Sequence, residues 1–262
     1  MKVFPLLAIA ASLALSTGAS ALQLPVPPGA KNVVIVPGAF VDGSGWREVH
    51  DLLWIKGYHV TIVHQPHTTL DEDVAAVREV INQQDGPVVL VGHSLGGSVI
   101  SLAGDRDKVK ALVYVAGFEP DVGESVSQLL GSMPAANSDV KSTRDGHAFL
   151  DPAKFRADFA ADLTPNRTNF MADSQVPAAR AVFDGKSWTA AWHKKPSWAV
   201  LTTEDHALSP DLQRRMYERA GSKVTEVKAS HAVYMSQPLT IANVIDEAAL
   251  SVKPAADADT KQ

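Results

Sequence analysis

The 262-residue chain has no cysteine, which excludes disulfides, thiolate catalysis and cysteine-ligated metal sites. It has no excess of basic charge. Its 24 Lys and Arg stand against 29 Asp and Glu, with none of the basic stripes that nucleic-acid binding requires. Apolar runs stop short of the about 20 residues that a membrane-spanning helix needs. No internal repeat of the kind that builds a solenoid occurs. What is present is 45% hydrophobic and 20% charged residues, enough to bury a full core without covalent staples and incompatible with intrinsic disorder.

The first residues differ from the rest. Met1 and Lys2 precede an apolar run from Val3 to Leu15, then Ser16, Thr17 and Gly18, then Ala19-Ser20-Ala21, a small-x-small pattern that signal peptidase accepts. Residues 1–21 are therefore expected to be a signal peptide and residues 22–262 one mature domain, secreted or periplasmic. No stable membrane insertion is expected once the leader is gone.

Within that domain, apolar runs alternate with amphipathic segments. Val33-Val34-Ile35-Val36, Pro87 to Val91 and Ala111 to Ala116 have the unbroken apolar character of strands buried on both faces. Tyr58 to Val63, Ser197 to Thr202 and Val224 to Val227 complete about six strands. Between them lie helical patterns, such as Leu70, Val74, Val77, Val80 and Ile81, with Asp71, Glu72 and Asp73 in the first turn, where the helix dipole favours negative charge. This alternation implies an α/β fold, a mostly parallel sheet with helices on both faces. Over about 118–195 the alternation breaks down into short, polar, Pro-containing pieces among scattered aromatics. That stretch is expected to be a small, mainly helical lid over one end of the sheet.

The sharpest local signal is Gly92-His93-Ser94-Leu95-Gly96, a G-x-S-x-G sequence between a buried strand and a helix. A serine on so tight a turn is held in strained backbone angles with its hydroxyl at the carboxyl edge of the sheet. The following helix offers free N–H groups where an oxyanion would form. A serine nucleophile needs a base, and the base an orienting acid, in the chain order Ser, Asp or Glu, His. Asp205, after the strand ending at Thr202, and His231, after the strand ending at Val227, meet that order, with Glu204 as the competing acid. The loop Pro37-Gly38-Ala39 after the first strand supplies a second backbone donor, so the N–H groups of Ala39 and Leu95 are the expected oxyanion hole. His64 and His67 form an H-x-x-H with no third ligand, and no metal is expected.

The strings V-P-G-A-F-V-D-G-S-G-W, G-H-S-L-G-G, K-A-L-V-Y-V-A-G-F-E-P-D-V-G-E-S, T-E-D-H-A-L-S-P and A-S-H-A-V-Y-M-S-Q-P resemble the α/β-hydrolase superfamily over residues 32–249. The nearest likeness is to its bacterial esterase branch, related to plant methylesterases and hydroxynitrile lyases. The resemblance implies the α/β-hydrolase fold, Ser94 as nucleophile, Asp205 as acid, His231 as base, and no cofactor. It departs from the family in one place: Pro37-Gly38 stands where His-Gly is usual. The lyase members carry a lysine after the base and a threonine in the oxyanion loop, where this chain has Ala232 and Gly38, so hydrolysis is favoured.

The expected activity is hydrolysis of small to medium carboxylic esters through an acyl-serine. A cofactor-free lyase or oxygenase, or a non-catalytic small-molecule-binding protein, remains the alternative. The expected partner is a small-molecule ester. Phe40, Phe159, Phe170, Phe183, Trp188 and Trp192 are the candidate pocket residues.

Overall fold

The computed structural model describes residues 27–135 and 139–253. The expected leader, residues 1–21, lies outside them. In chain order the elements begin with β1 (Asn32–Val36), α1 (Arg47–Ile55), β2 (His59–Ile62), α2 (Leu70–Gln83), β3 (Val88–His93), α3 (Leu95–Ala103) and β4 (Val109–Val115). There follow α4 (Val126–Ser132), β5 (Val140–Ser142), β6 (His147–Leu150), α5 (Phe155–Phe159), α6 (Pro165–Asp173), β7 (Ala178–Ala179) and α7 (Arg180–Asp184). The chain closes with β8 (Ser197–Thr202), α8 (Pro210–Ala220), β9 (Lys223–Val227), α9 (Val233–Ser236) and α10 (Pro238–Leu250).

Six strands form one sheet in the order β2-β1-β3-β4-β8-β9, all pairs parallel. The run of Val and Ile in β1 serves both faces. Val33 and Ile35 point into a core shared with Val49 and Leu53 of α1 and with Ile241, Ile245 and Ala248 of α10. Val34 and Val36 point into the opposite core, with Val74, Val77 and Ile81 of α2, Val99 of α3 and Leu212 and Met216 of α8. Each such side chain, fully buried, contributes about 1.5–3 kcal/mol relative to exposure, which explains why strands with no polar alternation stay in the middle of the sheet. Local signals fix the helix ends: the Thr69 hydroxyl accepts from the Glu72 N–H at 3.2 Å, and Gly221 ends α8 with φ of 66°.

Topology places the functional edge. The chain leaves β1 for β2 on one side and returns to β3 on the other, so a crevice opens at the carboxyl ends of β1 and β3. The register sets Val36 opposite Gly92, His93 opposite Val115, and Thr202 opposite Val227. The loops after β1, β3, β8 and β9 therefore emerge at one edge. The segment between β4 and β8 brings α4 to α7 over that edge. A three-stranded antiparallel sheet, β5-β6-β7, joins these helices, a feature the sequence pattern did not suggest because its strands are only two to four residues long. The insert is tied down where Val176 donates to the Phe40 carbonyl and Ala179 to the His67 carbonyl.

Candidate active site

Ser94 links β3 to α3 with φ of 51° and ψ of −122°, a conformation costly for any residue bearing a Cβ. The surrounding backbone packs closely on the turn. A Cβ on Gly92 would lie 2.5 Å from the Gly96 carbonyl oxygen, and one on Gly96 would lie 2.2 Å from that of Val36. The turn is also held by hydrogen bonds: Ser94 N–H donates to the Val115 carbonyl, and its own carbonyl accepts from Gly97 and Phe118. Among the described residues, neither the Leu95 N–H, the first of α3, nor the Ala39 N–H donates to another protein group. Gly38 brings the loop after β1 against this turn, since a Cβ there would sit 2.8 Å from the Ser94 Cβ.

The expected acid and base lie beyond β8 and β9. His231 Nδ1 is 2.7 Å from Asp205 Oδ2, and both side chains are buried. With an acceptor at Nδ1, that nitrogen carries the proton, and Nε2 is left with its lone pair free. The Asp205 carboxylate accepts four further bonds: from the Thr202 hydroxyl at 2.7 Å, Gln213 Nε2 at 3.0 Å, and the Ala207 and Leu208 N–H groups at 2.9 and 2.8 Å. Such solvation by fixed donors lets a charged carboxylate stay buried. Glu204, the competing acid, is exposed and pairs with Lys228 at 3.4 Å. Ser94 and His231 face one cavity, without a hydrogen bond between them in this state.

Two supports were invisible in the sequence. Gln213 on α8 orients Asp205 while its Oε1 accepts from the Thr202 N–H; nothing in the helical pattern distinguishes it from a surface glutamine. His93 is fully buried, and its Nε2–H donates to the His231 carbonyl at 3.0 Å. Burial holds its imidazole well below the usual histidine range, and the nearby His231 adds to that, so it is neutral. Its ring also packs against Tyr234, Phe159 and His231.

The cavity, about 290 Å³, is lined by Ala39, Phe40, Ser94, Phe118, Phe159, Phe183 and His231, among others. Three of the six expected pocket aromatics are thus in it: Phe40 stacks on Phe183 at 5.9 Å, and Phe159 meets His231 edge-on at 4.8 Å. The other three do not line it. Phe170 is 63% exposed on α6, beside a separate depression lined by Val41 and Tyr234. Trp188 is half-exposed under the Arg78 guanidinium. Trp192 is buried in the core, its indole N–H donating to the Pro120 carbonyl at 2.9 Å. Their common cause is that the insert presents two faces, and aromatic identity does not say which. His64 is exposed while His67 turns inward toward Asp73, so the H-x-x-H side chains do not converge. Among the described residues no cluster of three or more His, Asp or Glu is placed to hold a metal ion.

Residues 33–244 match the alpha/beta hydrolase family. The chain belongs to that family. It is 28% identical to Methylesterase 9 of Arabidopsis thaliana, over 79% of this chain and 94% of that one. Lipase LipV of Mycobacterium tuberculosis is 38% identical, but over only 37% of this chain and 36% of its own length. Among solved structures, polyneuridine aldehyde esterase superposes with a TM-score of 0.72 at 20% identity, covering 83% of this chain and 98% of that one, a likeness of fold. The α/β-hydrolase fold expected from the motifs is the fold observed.

Proposed function

We propose that this α/β hydrolase cleaves small to medium, uncharged carboxylic esters through an acyl-serine. The observation that carries the proposal is the buried Asp205–His231 pair opening, with Ser94, onto one largely apolar cavity. His231 Nε2 takes the proton of Ser94 as Oγ attacks the ester carbonyl. Asp205 holds the ring in the required tautomer and stabilises the imidazolium. The Ala39 and Leu95 N–H groups meet the tetrahedral oxyanion, each worth about 10²- to 10³-fold in rate. His231 then protonates the leaving alkoxide, and water repeats the sequence to release the acid. That several relatives bear esterase names supports this reading, and the leader-like first residues support action outside the cytoplasm.

The test is turnover of chromogenic esters of graded acyl length by the natural chain, Ser94→Ala and His231→Ala. Hydrolysis by the natural chain should fall by about four to six orders of magnitude in either variant. A flat response across the panel, or equal activity in Ser94→Ala, overturns the proposal.

A further inference from the structure

The wall of the cavity is mostly carbon: Ala39, Phe40, Leu130, Leu150, Phe159 and Phe183. One buried carboxyl interrupts it. Asp158 lines the same cavity, is only 3% exposed, and among the described residues its Oδ2 has no hydrogen-bond partner. It precedes Phe159, whose ring rests on His231, so short α5 fixes the carboxyl relative to the base. The other polar groups of the cavity do not answer it. The Arg180 guanidinium makes no ion pair with Asp158, and Ser127 directs its hydroxyl to Asp184.

A carboxyl oxygen held away from water and unpaired costs free energy, which a donor arriving in the cavity recovers. Burial, with the negative charge of Asp139 adding to it, pushes this carboxyl above the ordinary range, although the Asp139 backbone N–H and the nearby Lys154 and His206 pull the other way. The two carboxyls, Asp158 and Asp184, outnumber the one guanidinium, so a further carboxylate on the ligand is disfavoured and a donor is favoured.

Resting on the esterase reading, we infer that Asp158 sets substrate choice: the preferred esters carry a hydrogen-bond donor, a hydroxyl or an ammonium group, apart from the scissile carbonyl, and Asp158 accepts from it. Asp158 takes no part in bond making or breaking. It discriminates between substrates of equal size.

The test uses methyl esters of ω-hydroxy, ω-amino and ω-methyl alkanoic acids of graded length. Two measurements are made: kcat/KM with the natural chain, and dissociation constants of the same intact esters from Ser94→Ala by calorimetry. At one chain length a donor-bearing ester should exceed its methyl counterpart by at least about tenfold in both. Asp158→Leu should abolish the preference, and Asp158→Ala substitutes for it if the leucine variant does not fold. Asp158→Asn keeps a carbonyl acceptor without charge, so it should retain a hydroxyl preference and lose an ammonium preference, which separates the two donors. No preference at any length in either measurement, or a preference that survives in Asp158→Leu or Asp158→Ala, overturns the inference. Turnover without discrimination leaves the esterase reading standing and removes this one. Discrimination in binding with no turnover does the reverse.

Discussion

Replacing Ser94 by glycine should stabilise the protein relative to Ser94→Ala, although both variants lack the hydroxyl. Position 94 sits at φ of 51° and ψ of −122°, where a Cβ costs about 1–3 kcal/mol and glycine costs little. Alanine keeps that strain and serves as the reference. Glycine relieves it, but adds about 0.4–1 kcal/mol of unfolded-chain entropy, which offsets part of the gain. The net expectation is about 1 kcal/mol in favour of Ser94→Gly, or roughly 2–4 °C in melting temperature for a chain of this size. Urea titration and calorimetry of the two variants side by side measure it. A glycine variant no more stable than the alanine variant would refute the claim that the turn stores strain in order to project its side chain.

Other outcomes follow from the buried groups. Burial pushes the Glu119 carboxyl up to about 8. Between its ordinary value near 4.5 and 8, the native state therefore keeps a proton the unfolded chain has released, and stability declines as pH rises through that window. Glu119→Gln should flatten the decline and be the more stable protein near the top of it; an unchanged slope in urea titrations across the window refutes the assignment. Gln213→Leu removes one of the donors to Asp205 and should lower kcat/KM on esters by about 10- to 100-fold at normal folding; an unaffected rate would show that Thr202 and the two backbone donors suffice. His93→Leu should lose about tenfold or more because nothing then anchors the His231 carbonyl, whereas His93→Gln, whose amide nitrogen reaches the position of Nε2, should recover most of it; equal losses in kcat/KM would reduce His93 to a packing role.

Much of the candidate site was legible because its signals are local. The elbow is a strand, a steric requirement for glycine on either side, and a helix start, all within a few residues of Ser94. The positions of Asp205 and His231 follow from strand counting, since loops after parallel strands must emerge at the same edge. The pocket was less legible. Phe40, Phe159 and Phe183 line the cavity while Phe170, Trp188 and Trp192 do not, although all six are large aromatics in or near an irregular segment. Side-chain direction there depends on how α5, α6 and α7 dock on the sheet edge, and short helices carry too few turns for periodicity to reveal a buried face.

By itself, then, the order of apolar runs and turns determined a parallel α/β core, a strained serine at its edge and the chain order of the three candidate side chains, because those features depend on backbone periodicity and sterics over short spans. Tertiary structure alone set Asp205, and not Glu204, against His231. One is solvated by four donors besides His231 and the other faces water, a difference set by contacts with Thr202 and Gln213 and by which way one loop turns. The same packing left Asp158 Oδ2 without a partner among the described residues, since a residue's partners come from whatever the fold brings near it, and adjacency in the chain carries no record of that.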